Sequence, residues 1–175
     1  DATQEDIALT HAPVQKHLRL LCEDFIRCKE DEQGNLVSVS FENEDKYNFA
    51  FDTIDRIADE YPDKLAMLHV DKNMVETRLT FGEIKKLSNR AANYFVNLGI
   101  KKGDKVMLVL KRHYQFWISM LALQKIGAIS ILATNQLLTH DFTYRFEKAG
   151  VRAVIATADE KVADYIEEAE KEYDG

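Results

Sequence analysis

VMLVLKRHYQFWISMLALQKIGAISILATNQLLTHDFTYRFEKAGVRAVIA, residues 106–156, decides the fold. Three short apolar runs, 106–110, 128–133 and 151–156, lack the polar alternation of a strand with one wet face. Such runs belong to strands covered on both sides, which is the condition of a parallel sheet. Between them lie helix-period stretches. Residues 114–126 place Phe116, Trp117, Met120, Leu121 and Leu123 on an apolar surface closed by Gly127, and Phe142, Phe146 and Ala149 follow a cap expected at Thr139 and end at Gly150. Helices of this length allow right-handed crossovers between parallel strands. The pattern predicts an α/β fold, a doubly wound and mostly parallel sheet with helices on both faces.

Working outward, Val151 to Ala156 is followed by Asp159, expected to open a last helix over 161–173 bearing Val162, Ile166 and Ala169, after which no further strand follows. On the other side, Thr80-Phe81-Gly82-Glu83 is a capping box, with Ile84, Leu87, Ala91, Phe95 and Leu98 following at helical spacing and Gly99 at the expected left-handed end. Residues 65–70 read as a strand that turns through Asp71 and Asn73 into a second strand over 75–79. The parallel edge is expected to hold four strands and looks cut. Residues 49–61 form a helix stopped by Pro62. The polar stretch 42–48 separates this body, 47–175, from an N-terminal extension, 1–46, read as a helix over 12–29 and a short strand around Leu36, Val37, Val39 and Phe41.

Bulk properties narrow the function. With 30 acidic against 23 basic residues the net charge is -7, which disfavours nucleic acid and anionic membrane as partners. No apolar stretch nears the roughly 20 residues of a membrane span, and DATQEDIALT lacks a basic region followed by an apolar one. Cys22 and Cys28 fall on the first predicted helix at a spacing that suits neither a C-x-x-C site nor a disulfide, so reduced core thiols and a cytosolic setting are expected.

Candidate chemistry is sparse. Phosphate loops cluster glycines, and the seven here are dispersed. The five histidines show no metal-ligand spacing, and no serine sits in a G-x-S-x-G elbow. Open α/β sheets bind ligands beyond the carboxyl ends of their strands, which singles out Lys111-Arg112-His113 and Thr134-Asn135-Gln136. The first triplet reads as a basic turn able to meet an anion, with a solvated turn the commoner outcome. The second either lines a cleft or is an ordinary strand-to-helix loop. Tyr114, Phe116 and Trp117, among Met and Leu at helical spacing, read as core. No residue is assigned a catalytic, cofactor-binding or metal role.

YNFAFDTIDRIADEYPDKLAML, RLTFGEIKKLSNRAANYFVNLGIKKGDKVMLVL and LALQKIGAISILATNQLLTHDFTYRFEKAGVRAVIAT together resemble the opening third of an acyl-CoA synthetase of the adenylate-forming, AMP-binding superfamily, over residues 47–164. Residues 79–84 are similar to its first core motif and 123–137 to its second, while YNFAFD and TNQLLTHDFTYR look most like medium-chain fatty acid and aromatic acid CoA ligases. The resemblance implies a ligase that joins a carboxylate to CoA through an acyl-adenylate, using ATP and Mg²⁺ and releasing AMP and pyrophosphate. It also implies that the phosphate loop, the nucleotide contacts, the acyl pocket and the catalytic lysine come later in the family's chain. Ala133 stands where the family often has Pro or Gly, and residues 161–165 carry no arginine of the kind some relatives use on the CoA phosphate.

The expectation is an N-terminal piece of a cytoplasmic, fatty acid-metabolising ligase, inactive alone, binding none of these cofactors itself and acting as scaffold. Its partners would be the remainder of its own chain or a second copy through an exposed apolar face. The alternative is a self-contained flavodoxin-like binding or response module.

Overall fold

A computed structural model describes residues 25–173, and the chain divides after Tyr47 into two units. In the first, β1 (Ile26–Glu30) and β2 (Leu36–Phe41) pair antiparallel, with Cys28 opposite Val39 and Ile26 opposite Phe41. The Asp31 carboxylate builds the turn, accepting from the amides of Gln33 and Asn35 at 3.0 and 2.8 Å and from the Asn35 side chain at 3.0 Å. Those donors hold it ionised and its pKa below the ordinary 3.8, the Asn35 side chain contributing most. The helix expected over 12–29 is corrected where it is described: residues 26–30 are strand, because the Asp31–Asn35 turn folds them onto the β-prone segment that follows. Residues 12–24, Cys22 among them, lie outside the described part. Cys28 is exposed and not a core thiol.

The second unit starts at a cap. The Asn48 side-chain oxygen accepts from the Ala50 and Phe51 amides while its Nδ2 donates to the Gln124 carbonyl at 2.7 Å, fixing a helical segment whose first part, Phe49–Asp55, is π-helical before α1 (Arg56–Glu60). The helix expected over 49–61 is present, wound as π over its first part. β3 (Leu65–Val70) and β4 (Glu76–Thr80) form the expected hairpin, with Asp71 accepting from the Asn73 and Val75 amides at 2.8 Å each. The capping box starts α2 (Phe81–Asn97): the Glu83 amide donates to Thr80 Oγ1 at 3.2 Å and the Thr80 amide to Glu83 Oε2 at 2.8 Å. Gly82 is required there by space, since a Cβ would stand 2.9 Å from the Pro62 carbonyl oxygen.

β5 (Lys105–Val109), α3 (Gln115–Ile126), β6 (Ile129–Leu132), α4 (Thr139–Ala149), β7 (Ala153–Ala156) and α5 (Val162–Lys171) complete the chain. The three strands pair parallel in the order β6-β5-β7. Successive β5 side chains explain the missing alternation. Val106 and Leu108 pack with Phe95, Ala122 and Leu123 of α2 and α3, whereas Met107 and Val109 pack with Phe142, Phe146, Val162 and Ile166 of α4 and α5. Both faces are helix-covered, as the doubly wound reading requires. A further cluster of Ala50, Leu79, Ile84, Ile118 and Leu121 seats the hairpin against α2 and α3.

Two expectations fail in detail. Among the described residues the parallel sheet has three strands and not four, and β3 pairs with β4 in a sheet of its own. Thr139 is the first residue of α4 and not its cap. The Asp141 carboxylate closes that end by accepting from the Leu138 amide at 3.1 Å, and the Thr139 hydroxyl donates to Glu168 at 2.7 Å. No helix among the described residues is long and apolar enough to cross a membrane.

Candidate functional site

Because β5 leads to a helix on one face of the sheet and both β6 and β7 lead to helices on the other, their carboxyl-end loops diverge and leave a crevice. The β3–β4 hairpin walls its side, giving an open cleft of about 1380 Å³. Both sequence-selected triplets line it: Lys111, Arg112 and His113 after β5, and Thr134, Asn135 and Gln136 after β6. The loop after β6 is tied to itself, with the Gln136 amide donating to Thr134 Oγ1 at 3.3 Å.

The basic triplet is an exposed turn, as expected, but two of its side chains are engaged by the loop after β7. Lys111 Nζ donates to Glu160 Oε1 at 2.7 Å, and His113 Nε2 lies 2.9 Å from Asp159 Oδ2 and 3.1 Å from Thr157 Oγ1. Glu160 raises the Lys111 pKa above its ordinary 10.5, and the His113 hydrogen bond holds Asp159 below its ordinary 3.8. With Asp159 ionised, the Nε2 proton is directed to its carboxylate. On the opposite side, His69 Nε2 lies 3.1 Å from the Arg112 carbonyl oxygen, and the His69 ring meets Tyr114 edge-on at 5.6 Å.

Lys111 and Glu160 are both left-handed, at φ 51° and 59°, a conformation that L side chains adopt at a steric cost. The two residues that meet are thus the two that the loops hold in strained backbone. Among the described residues Arg112 and Lys72, both exposed in the cleft, have no ion-pair partner. Asp71 is occupied by its own turn. The arrangement pairs Lys111 with Glu160 and leaves Arg112 and Lys72 facing solvent in the cleft.

Glycine marks the opposite end. Gly99, Gly103, Gly127 and Gly150 stand in the turns that precede β5, β6 and β7, whereas the carboxyl-end loops 110–114, 133–138 and 157–161 contain none. A run of backbone amides able to wrap a triphosphate is therefore missing from these loops. Among the described residues no three His, Cys, Asp or Glu side chains converge as metal ligands would.

Sequence reasoning missed Thr157, Asp159 and Glu160, which stand 44 to 49 residues from their partners. It also missed a second charge cluster. Lys125 Nζ is buried with Asp55 Oδ1 at 2.7 Å, Asn89 Oδ1 at 2.7 Å, Ser88 Oγ at 3.0 Å and the Phe51 ring centroid at 5.5 Å. No local signal distinguishes that lysine from a wet one. Trp117, expected in the core, is 50% exposed, whereas Phe116 and Tyr114 pack against core clusters as expected.

Comparison with known proteins agrees with this geometry. The chain is 32% identical over 117 residues to the mitochondrial acyl-coenzyme A synthetase ACSM5 of Rattus norvegicus and 34% over 104 residues to a crotonobetaine/carnitine–CoA ligase of Escherichia coli, covering 63% and 59% of this chain. It spans about 20% of the length of each. In structure it is similar to a benzoate CoA ligase from Burkholderia xenovorans LB400, at TM-score 0.63 and 22% identity over 73% of this chain and 24% of that one. The N-terminal domain of FACL13 from Mycobacterium tuberculosis gives TM-score 0.61 and 26% identity over 69% of this chain and 29% of that one. The profile of the AMP-binding enzymes matches residues 54–174, and the chain belongs to that family.

Proposed function

We propose that this chain supplies the N-terminal part of an ATP-dependent acyl-CoA ligase, which converts a carboxylate, ATP and CoA into acyl-CoA, AMP and pyrophosphate. By itself it catalyses neither half of that reaction and acts as scaffold, offering a parallel half-sheet and a carboxyl-end cleft. One observation carries the reading: the family match covers the whole parallel sheet, yet no loop at the sheet's binding end carries the glycines that grip a triphosphate. ATP, Mg²⁺ and CoA belong to the whole ligase. In that assembly Arg112 and Lys72 are the cations the cleft would turn toward a phosphate group.

The rest of the ligase would cover apolar surface such as Trp117, Ile129 and Leu132, each near half exposed. A second copy of the chain is the alternative cover, and a cytoplasmic setting fits the same reading. Family membership favours the ligase over a self-contained flavodoxin-like module. The test is ATP–pyrophosphate exchange by the 175-residue chain with fatty and aromatic acids. No exchange above the blank is expected; measurable exchange with any of these acids overturns the scaffold role.

A further inference from the structure

The loop after β5 is held from two sides. Its side chains Lys111 and His113 reach the loop after β7, to Glu160 at 2.7 Å and Asp159 at 2.9 Å, while the Arg112 carbonyl between them meets His69 of the hairpin at 3.1 Å. Alternate residues of the triplet are thereby sorted, 111 and 113 toward carboxylates and 112 toward neither. Thr157 tightens the far side, taking His113 Nε2 at 3.1 Å and the Asp159 amide at 3.1 Å on one hydroxyl. Two left-handed residues, Lys111 and Glu160, face each other across this contact. Backbone in that region persists where the surroundings over-determine it, and the cross-loop contacts are what over-determines it here.

We propose that Lys111–Glu160 and His113–Asp159 are the two rungs of a latch that locks the loop after β5 to the loop after β7, and that these four side chains are positioning residues for Arg112, the cation the cleft presents to a phosphate group. The latch stands on geometry alone. Its role for Arg112 rests on the anion-facing reading of the cleft given above.

The sign of one effect separates a latch from plain electrostatics. Removing the Glu160 charge takes a negative group from the cleft rim, which on charge alone strengthens anion binding. The latch requires the reverse, because a freed loop loses the orientation of Arg112. The 175-residue chain carrying Glu160→Gln, Lys111→Glu or the exchanged pair Lys111→Glu with Glu160→Lys is compared with wild type in two measurements. Amide exchange of His113, whose N–H bonds the Leu110 carbonyl at 3.0 Å, and of Asp159 reports loop order without any ligand. Titration with inorganic pyrophosphate, and separately with CoA, reports the cleft.

Both single variants are expected to speed exchange at the two amides and to weaken pyrophosphate binding about threefold or more, with the exchanged pair restoring both. Unchanged exchange in Glu160→Gln overturns the latch. Faster exchange with tighter pyrophosphate binding overturns the positioning of Arg112. If wild type binds neither anion, the anion-facing reading fails together with the Arg112 role, and amide exchange alone decides the latch. Circular dichroism of each variant separates loop release from loss of fold.

Discussion

Two lysines of the second unit each sit 2.7 Å from a carboxylate, at opposite ends of the same sheet, and their surroundings give them different work. Lys125, near the amino ends of the strands, has a side chain 3% exposed against an Asp55 at 10%. Lys111, at the carboxyl ends, is 35% exposed against a Glu160 at 63%. The same pair chemistry is a structural pin where water is excluded and a loop tether where it is not. Desolvation makes the difference. A buried charge that loses its partner keeps its burial penalty, whereas an exposed one regains water.

The comparison breaks most sharply at Asp55. Asp55→Ala leaves the Lys125 ammonium buried with only the Ser88 and Asn89 oxygens, and is expected to lower unfolding stability by about 3–5 kcal/mol in urea titration. A loss no larger than that of an ordinary surface change would remove the contrast. Glu160→Gln is expected to shift the same urea midpoint far less, within the scatter of replicate melts, although it speeds local amide exchange. A midpoint shift comparable to that of Asp55→Ala would make the carboxyl-end pair a pin as well.

The smallest effect is in pH. Asp159 has a folded pKa below its ordinary 3.8, so its contribution is present above that value and is lost as the pH falls through the lower folded one. Lys111 is displaced the other way: its contribution holds below 10.5 and is lost as the pH rises through a still higher folded value. Lys111 and Asp159 therefore both keep their charges across the neutral range. His113→Gln removes the leading cause of the Asp159 displacement, and the Asp159 carboxyl carbon, followed by NMR against pH, is expected to titrate closer to 3.8 than in wild type. An unmoved midpoint would show that His113 is not what holds that carboxylate.

Much of the second unit was legible because its signals are local. The capping box at Thr80 and Glu83, the Asp71 turn and the apolar run of β5 each depend on neighbours within a few residues, and all three stand where the sequence puts them. Failures came where a partner decides. Ile26 to Glu30 takes strand because β2 folds back onto it. Thr139 yields its cap to Asp141, since both residue types suit a helix start and only the fold chooses between them. The two hairpins make the same point, for Asp31 and Asp71 hold their turns through the same pair of amide contacts. Yet all of β2 is exposed, while β4 buries Leu79 against α2 and α3.

The candidate site divides along the same line. That Lys111-Arg112-His113 and Thr134-Asn135-Gln136 belong to the binding end follows from strand direction, which the order of runs and helices in the chain dictates. Which of those side chains stays available does not follow, because Glu160 and Asp159 reach them from 49 and 46 residues away. By itself the sequence determined an α/β chain with its parallel strands covered on both faces, since periodicity and capping act through bonds and near neighbours. Only the tertiary structure decided that Lys125 is buried, that Lys111 is latched and that Arg112 is left facing the cleft, because burial and charge pairing are set by the distances between elements and not by their order.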